Sequence, residues 1–205
     1  MSSTVPTHLD LSHLGEPVYR GSVQNLHAIP GHPGFVACET TEAGSVFDVG
    51  SIFKIEGNDL NRAIFRHAMY SRLAQPETWK RVKAAIEASP ISAELREELL
   101  TGPVERMLEH GAVTHHIGMV DARSGAVVRE GMPEHPSCFN VVRRFPVMHP
   151  PQRKLLGTFV FDYAQFHQST SYVVPLEYIV RFGVTSGSSI FKKYQSLGEG
   201  AKRAY

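Results

Sequence analysis

Arg181 sits near the end of a strand-like apolar run at 173–182, and the chain then turns through Gly187, Ser188 and Ser189 into a helix-like segment. A helix start offers unpaired N–H groups and a positive dipole end. Ser hydroxyls add donors and a guanidinium adds a forked cation, so the set suits a phosphate monoester. The same residues also read as an N-cap at Ser188 and an ion pair of Arg181 with Glu177. A second stretch, Tyr19-Arg20-Gly21-Ser22-Val23, places an Arg beside a glycine turn between two short apolar runs, where backbone amides can approach a phosphate. Its plain alternative is an ordinary β-turn. A third, at 42–50, sets Ser45 and Asp48 three apart in a turn-prone segment. That spacing presents a hydroxyl and a carboxylate to one ligand, or lets both bond their own backbone.

Eleven histidines raise the question of a metal. His115 and His116 are adjacent, and neighbouring strand residues point to opposite faces, so one strand cannot direct both at one ion. His135, His149 and His167 are scattered. There is no His-Glu-x-x-His spacing and no second Cys near Cys38 or Cys138, which argues against protein-ligated zinc and against a disulfide framework. Phe159, Phe161, Tyr163 and Phe166 lie among polar residues and read as a small satellite core rather than a base-stacking platform.

The elements that must position these residues follow from the apolar pattern. Short runs between 17 and 48, broken by Arg20-Gly21-Ser22 and by the Pro and Gly residues at 30–34, read as a strand meander. Asn58 or Asp59 can cap a helix whose Leu60, Ile64 and Ala68, with Phe65 and Met69 beside them, face the sheet, ending near Leu73 and before Pro76. Residues 74–110 read as a helical insert with Trp79, Val82 and Ile86 on one face and Gly111 as its stop. Strand-like segments return at 112–114, 117–120, 126–128 and 139–142, with a hairpin turn at 121–125. The spacing lacks a regular β-α-β repeat and predicts an α+β fold, a mostly antiparallel sheet with helices packed on one side.

At 205 residues, 42% hydrophobic and 20% charged, the composition is that of a globular protein. The formal charge of +1 is far from the basic surface that a nucleic-acid partner requires. The first ten residues have neither a basic start nor a signal-length apolar run, and no stretch reaches the ~18 apolar residues of a membrane span. A cytoplasmic protein with reduced thiols and no membrane partner is expected.

In order and spacing, these stretches resemble the N-terminal half of phosphoribosylaminoimidazole-succinocarboxamide synthase, the SAICAR synthetase family of purine biosynthesis. Tyr19-Arg20-Gly21-Ser22-Val23 is similar to the family's opening Arg-Gly turn. Residues 42–48 resemble its Asp-x-x-Ser-x-Phe-Asp segment, and Gly57 with Asn61 resembles a Gly followed by a helix containing Asn. Val174-Pro175-Leu176-Glu177-Tyr178-Ile179-Val180-Arg181 with Gly187-Ser188-Ser189 resembles its strand and Gly-Ser turn, the most specific match. The likeness runs over about residues 17–197 and is weakest at 74–110.

What the resemblance implies is an ATP-grasp-related N-terminal lobe at 17–172, behind a tail at 1–16, with the start of the central lobe at 173–205. It also implies an ATP-dependent ligase that forms a C–N bond, using ATP and Mg²⁺ to activate the carboxylate of an aminoimidazole ribonucleotide as an acyl phosphate for attack by L-aspartate. Arg20, Gly21 and Ser22 would lie over the ATP phosphates. Ser45 and Asp48 would face the imidazole, and Arg181, Ser188 and Ser189 would hold the ribose 5′-phosphate. The family's Mg²⁺-holding acidic residues belong to its second half, so no metal ligand is assigned in this chain, which is expected to be either a fragment of a longer polypeptide or one half of a split enzyme with a separate second-half polypeptide as partner; a homo-oligomer is left open. Several positions depart from the pattern: Gln24 stands in place of a lysine, Glu42 of an Asp, Ala43 of a polar residue and Glu56 of a lysine. Loss of two cations favours a rival reading, a non-catalytic phosphoribosyl-binding module. The changes around Ser45 admit a third, a diverged ligase for a related heterocyclic carboxylate.

Overall fold

The computed structural model describes residues 4–45, 51–168, 172–173 and 195–196. Two compact units divide the chain, Met1–Phe145 and Pro146–Tyr205, whereas the sequence reading places its boundary between 172 and 173. The first unit is α+β and is built on a six-stranded antiparallel sheet. Its strands are β1 (Tyr19–Arg20), β2 (Gln24–Ala28), β3 (Phe35–Thr40), β6 (His116–Asp121), β7 (Val127–Val128) and β8 (Pro136–Arg143), in the order β1-β2-β3-β8-β6-β7. Between β3 and the helices, β4 (Ala43–Ser45) and β5 (Ser51–Lys54) pair as a separate hairpin.

The continuous apolar run of β3 follows from its central place in the sheet. A strand covered on both faces cannot alternate apolar with polar residues. Phe35 and Ala37 point to one face, where they cluster with Ile29, Val120, Val127 and Val141; Val36 and Cys38 point to the other, against Val142. The first face is covered by the N-terminal segment, which the sequence sets apart as a tail. Leu9 is only 4% exposed, with Val5, Leu11 and Leu14 packed around the same core. The Leu9 N–H donates to Gly125 O (2.8 Å) and the Val127 N–H to Thr7 O (2.9 Å), which fastens this segment to the sheet edge.

The second face carries α1 (Asn58–Leu73). The helix lies where the periodicity puts it, but turned about its axis. Ala63 and His67 are fully buried, whereas Phe65 is 67% exposed and Leu60 and Met69 are also exposed. A small residue lets the helix approach the sheet, and a polar one survives there because it is hydrogen-bonded. Asn140 Nδ2 donates to Ala63 O (3.4 Å), and both His67 ring nitrogens have partners.

Residues 76–110 are helical: α2 (Pro76–Ala88), α3 (Ala93–Leu99), a π-type turn (Leu100–Val104) and α4 (Glu105–His110). Pro76 occupies the first turn of α2 and Ser92 caps α3 by accepting from the Leu95 N–H, both expected helix-start devices. Trp79, Val82 and Ile86 form the half-buried face. Gly111 stops α4, and the chain returns to where it left, since the Ala112 N–H donates to Leu73 O (2.8 Å). The 112–114 stretch is irregular rather than a strand. At 121–125 the hairpin turn forms as expected: the Gly125 N–H donates to Asp121 O (2.9 Å). The Asp121 carboxylate accepts from the N–H groups of Arg123, Ser124 and His135 and from the Ser124 hydroxyl, which holds it far below the usual carboxylate range.

In the second unit, β9 (Gln152–Leu155) and β10 (Thr158–Phe161) form a two-stranded hairpin. Phe166 is buried against Tyr163 and Tyr172, with ring centroids 5.5 and 5.0 Å away. Phe159, Phe161 and Tyr163 are exposed, so of the four aromatics read from the sequence as a satellite core only Phe166 is buried, packed against Tyr163 and the half-buried Tyr172.

Candidate functional site

The β1–β2 turn is tight because the Gly21 N–H donates to Gln24 O at 2.7 Å. A Cβ on Gly21 would lie 2.9 Å from that same oxygen and 3.3 Å from the Tyr19 ring, so the close approach requires glycine. The N–H groups of Ser22 and Val23 take no acceptor among the described residues, leaving two donors in the turn that follows Arg20. That guanidinium is paired with Glu16, and both side chains are exposed. An exposed pair of this kind is worth at most about 1 kcal/mol, so a multivalent anion can displace the carboxylate. Glu16 is itself positioned: the preceding Gly15 carbonyl bonds His27 Nδ1 (2.9 Å), and His27 Nε2 meets the Glu39 carboxylate (3.1 Å), which also accepts from Asn25 Nδ2 (2.7 Å).

The β4–β5 hairpin is anchored at both ends. Ser45 is the cross-strand partner of Ser51, and the Ser51 hydroxyl donates to Ser22 O at 2.8 Å. Two stretches read separately in the sequence, the Arg20-Gly21-Ser22 turn and the segment containing Ser45, therefore meet in space. At the other end, the Glu42 carboxylate accepts from the Gly57 N–H (3.1 Å), and Glu42 O from the Ile55 N–H (3.0 Å). Gly57, with φ of 71°, is the N-cap of α1, so neither Asn58 nor Asp59 caps the helix. Instead the Glu42 carboxylate, from the residue just before β4, takes the N–H of the N-cap glycine at the positive end of the helix. Arg62 of α1 donates to Ala43 O (3.4 Å). Glu42→Ala is expected to lower stability by about 1 kcal/mol, or about 2–4 °C in Tm, by thermal unfolding.

Gln24, where the family pattern carries a lysine, has its side-chain Oε1 3.5 Å from the Cys38 thiol, which donates to it; Arg66 donates to the same sulfur at 3.1 Å. Burial raises the Cys38 thiol above its ordinary range, with partial offset from Arg66. Glu56 is exposed. Asp48, Arg181, Ser188 and Ser189 lie outside the described residues, as does the Ser45 side chain. The residues present thus fit an anion: a cation on an exposed edge, two backbone donors without a partner among the described residues and a glycine that permits the tight turn. Glu16 and Ser51 were not legible as members of this group. Glu16 lacks a motif, and Ser51 reaches Ser22 across 29 residues. No protein-family model, curated protein or solved structure matches the chain.

Proposed function

We propose that this chain is a component of an ATP-dependent carboxylate–amine ligase of the SAICAR synthetase type, acting in purine biosynthesis with ATP, Mg²⁺, L-aspartate and a carboxyaminoimidazole ribonucleotide. The observation that carries the reading is the hydrogen bond from Ser51 to Ser22 O, which joins the two N-terminal stretches that resemble the family. ATP supplies the phosphoryl group that activates the carboxylate. In this reading Arg20 exchanges Glu16 for phosphate oxygens, and the Ser22 and Val23 N–H groups donate to them from a turn that needs little rearrangement. Ser45 and Asp48 face the imidazole. Arg181, Ser188 and Ser189 hold the ribose 5′-phosphate. Carboxylates of the family's second half, on the same or a separate polypeptide, would hold Mg²⁺, which offsets phosphate charge.

The test is reconstitution. The chain with all four small molecules is expected to release ADP only when a second-half polypeptide of the family is added; turnover by the chain alone would overturn this division of roles. A second reading, a phosphoribosyl-binding module without ATP chemistry, is favoured by Gln24, whose side chain meets Cys38 where the family pattern has a cation. A diverged ligase for a related heterocyclic carboxylate keeps the same phosphate contacts with a different ring acceptor near Ser45.

A further inference from the structure

His67 on α1 and His116 on β6 are 49 residues apart, yet His67 Nδ1 lies 2.9 Å from His116 Nε2. Their proton arrangement follows from the partners. His67 Nε2 is 2.7 Å from Gly131 O, which can only accept, so Nε2 carries a hydrogen. His67 Nδ1 is then an acceptor, and His116 Nε2–H donates to it. The remaining nitrogen, His116 Nδ1, is buried with no partner among the described residues. In the neutral pair this leaves a bare lone pair, a modest cost.

A third proton changes the position sharply. Gly131 O keeps the first, the junction between the rings holds one, and the extra proton must go to His116 Nδ1. There it is a charged donor, buried and without an acceptor. Every protonated form of the pair that keeps its hydrogen bonds carries this penalty.

The surroundings add to it. From α1, Tyr70 stacks on His116 (centroids 5.6 Å apart, planes at 18°) and meets His115 edge-on at 5.0 Å, and the Arg66 guanidinium brings a like charge. The Ser71 hydroxyl is 3.4 Å from His67 Nδ1 but donates to Arg129 O (3.3 Å). Arg129 and Glu130 line a cavity of about 180 Å³ beside His116, and Glu130 is its one carboxylate. Burial, then the charges of His67, His115 and Arg66, push His116 down to about 3; burial also lowers His67 and His115.

We propose that the His67–His116 pair is an acid-sensitive latch: neutral, it fastens α1 to β6 and to the Gly131 turn, and protonation releases the helix. The sign is fixed by the direction of the shifts. Above the ordinary histidine value of 6.5 both docked and released states are neutral and pH has no effect. Below it the released state binds protons that the docked state refuses, so docking weakens as pH falls, down toward 3 for His116. Because α1 also holds Gly57 on Glu42 and Arg62 on Ala43 O, release frees the β4–β5 hairpin and, with it, Ser51 from Ser22. Only this last consequence, loss of anion binding in acid, rests on the ligase reading.

The test reads the latch without any ligand. In the unmodified chain, nitrogen-detected imidazole NMR is expected to show His116 neutral at pH 5 with its hydrogen on Nε2; a doubly protonated His116 at pH 6 would overturn the proposal. Amide exchange of α1, corrected for its intrinsic pH dependence, is expected to speed up about tenfold per pH unit below 6.5. His116→Phe keeps the stack on Tyr70 but removes the site of the third proton. Its α1 protection at pH 5, relative to pH 7.5, is expected to exceed that of the unmodified chain by about 30-fold, the tenfold per pH unit taken over the 1.5 units below 6.5. An equal ratio in the two proteins would contradict the latch.

Discussion

Gly111→Ala is expected to destabilise the first unit by about 4 kcal/mol, a fall in Tm of about 8–16 °C for a chain of this length. Two independent penalties act together. Gly111 has φ of 69° and ψ of −178°, a region essentially closed to residues with a Cβ. A Cβ there would also lie 2.0 Å from Ala74 O and 2.4 Å from Ala74 C, where backbone rather than a mobile side chain must give way. The position closes the helical excursion: the Gly111 N–H donates to Met107 O (2.9 Å), and the next residue bonds Leu73 O, so strain propagates into the end of α1. Gly102 itself departs from helical geometry, with φ of −112° and ψ of −107°, so the neutral comparison is Gly15→Ala, where nothing lies within 4 Å of a Cβ and φ is not left-handed; it should change Tm by no more than about 2 °C. Thermal unfolding of both variants checks the contrast, and equal shifts would show that the close approach to Ala74 is not what demands glycine.

On the proposed ligase reading, Arg181→Ala has the second largest effect. A guanidinium that bonds a phosphate through two charge-assisted hydrogen bonds is worth about 2–4 kcal/mol, so affinity for a ribose 5′-phosphate ligand should fall about 30- to 700-fold. The fold should remain intact, with an unchanged far-UV spectrum and Tm. Calorimetric titration reads the affinity, and equal binding by variant and unmodified chain would remove the phosphate role of Arg181. Arg181→Lys distinguishes charge from fork: a lysine restores the charge but not the bidentate geometry, and partial recovery is expected.

The parts of the fold visible in the sequence are those where one residue's environment is set by its near neighbours. The apolar run of β3, the 121–125 turn with its Asp and Gly, and the Gly111 stop are local signals, and each sits where its chemistry puts it. The orientation of α1 was not visible, because the apolar period gives a face only if that face is the buried one. Here the buried face holds Ala63 and His67, and its polar member is satisfied by Gly131 and His116, which are 64 and 49 residues away. Leu9 failed to announce itself for a related reason. A short apolar pattern among polar residues looks like a tail until a sheet edge accepts its backbone hydrogen bonds. At the candidate site, Arg20, Gly21 and Ser22 were legible through turn chemistry. Glu16 and Ser51 were not, since an exposed ion pair and a hydroxyl-to-carbonyl bond between distant segments leave no periodic trace.

Separate titrations of the chain with Mg²⁺·ATP and with ribose 5-phosphate test the central claim most directly. Both are expected to bind, and Arg20→Ala to weaken ATP alone by about 2- to 5-fold, as for one exposed cation on a phosphate. Binding of ribose 5-phosphate without ATP would contradict the ligase reading in favour of the module, and binding of neither would remove the phosphate site altogether.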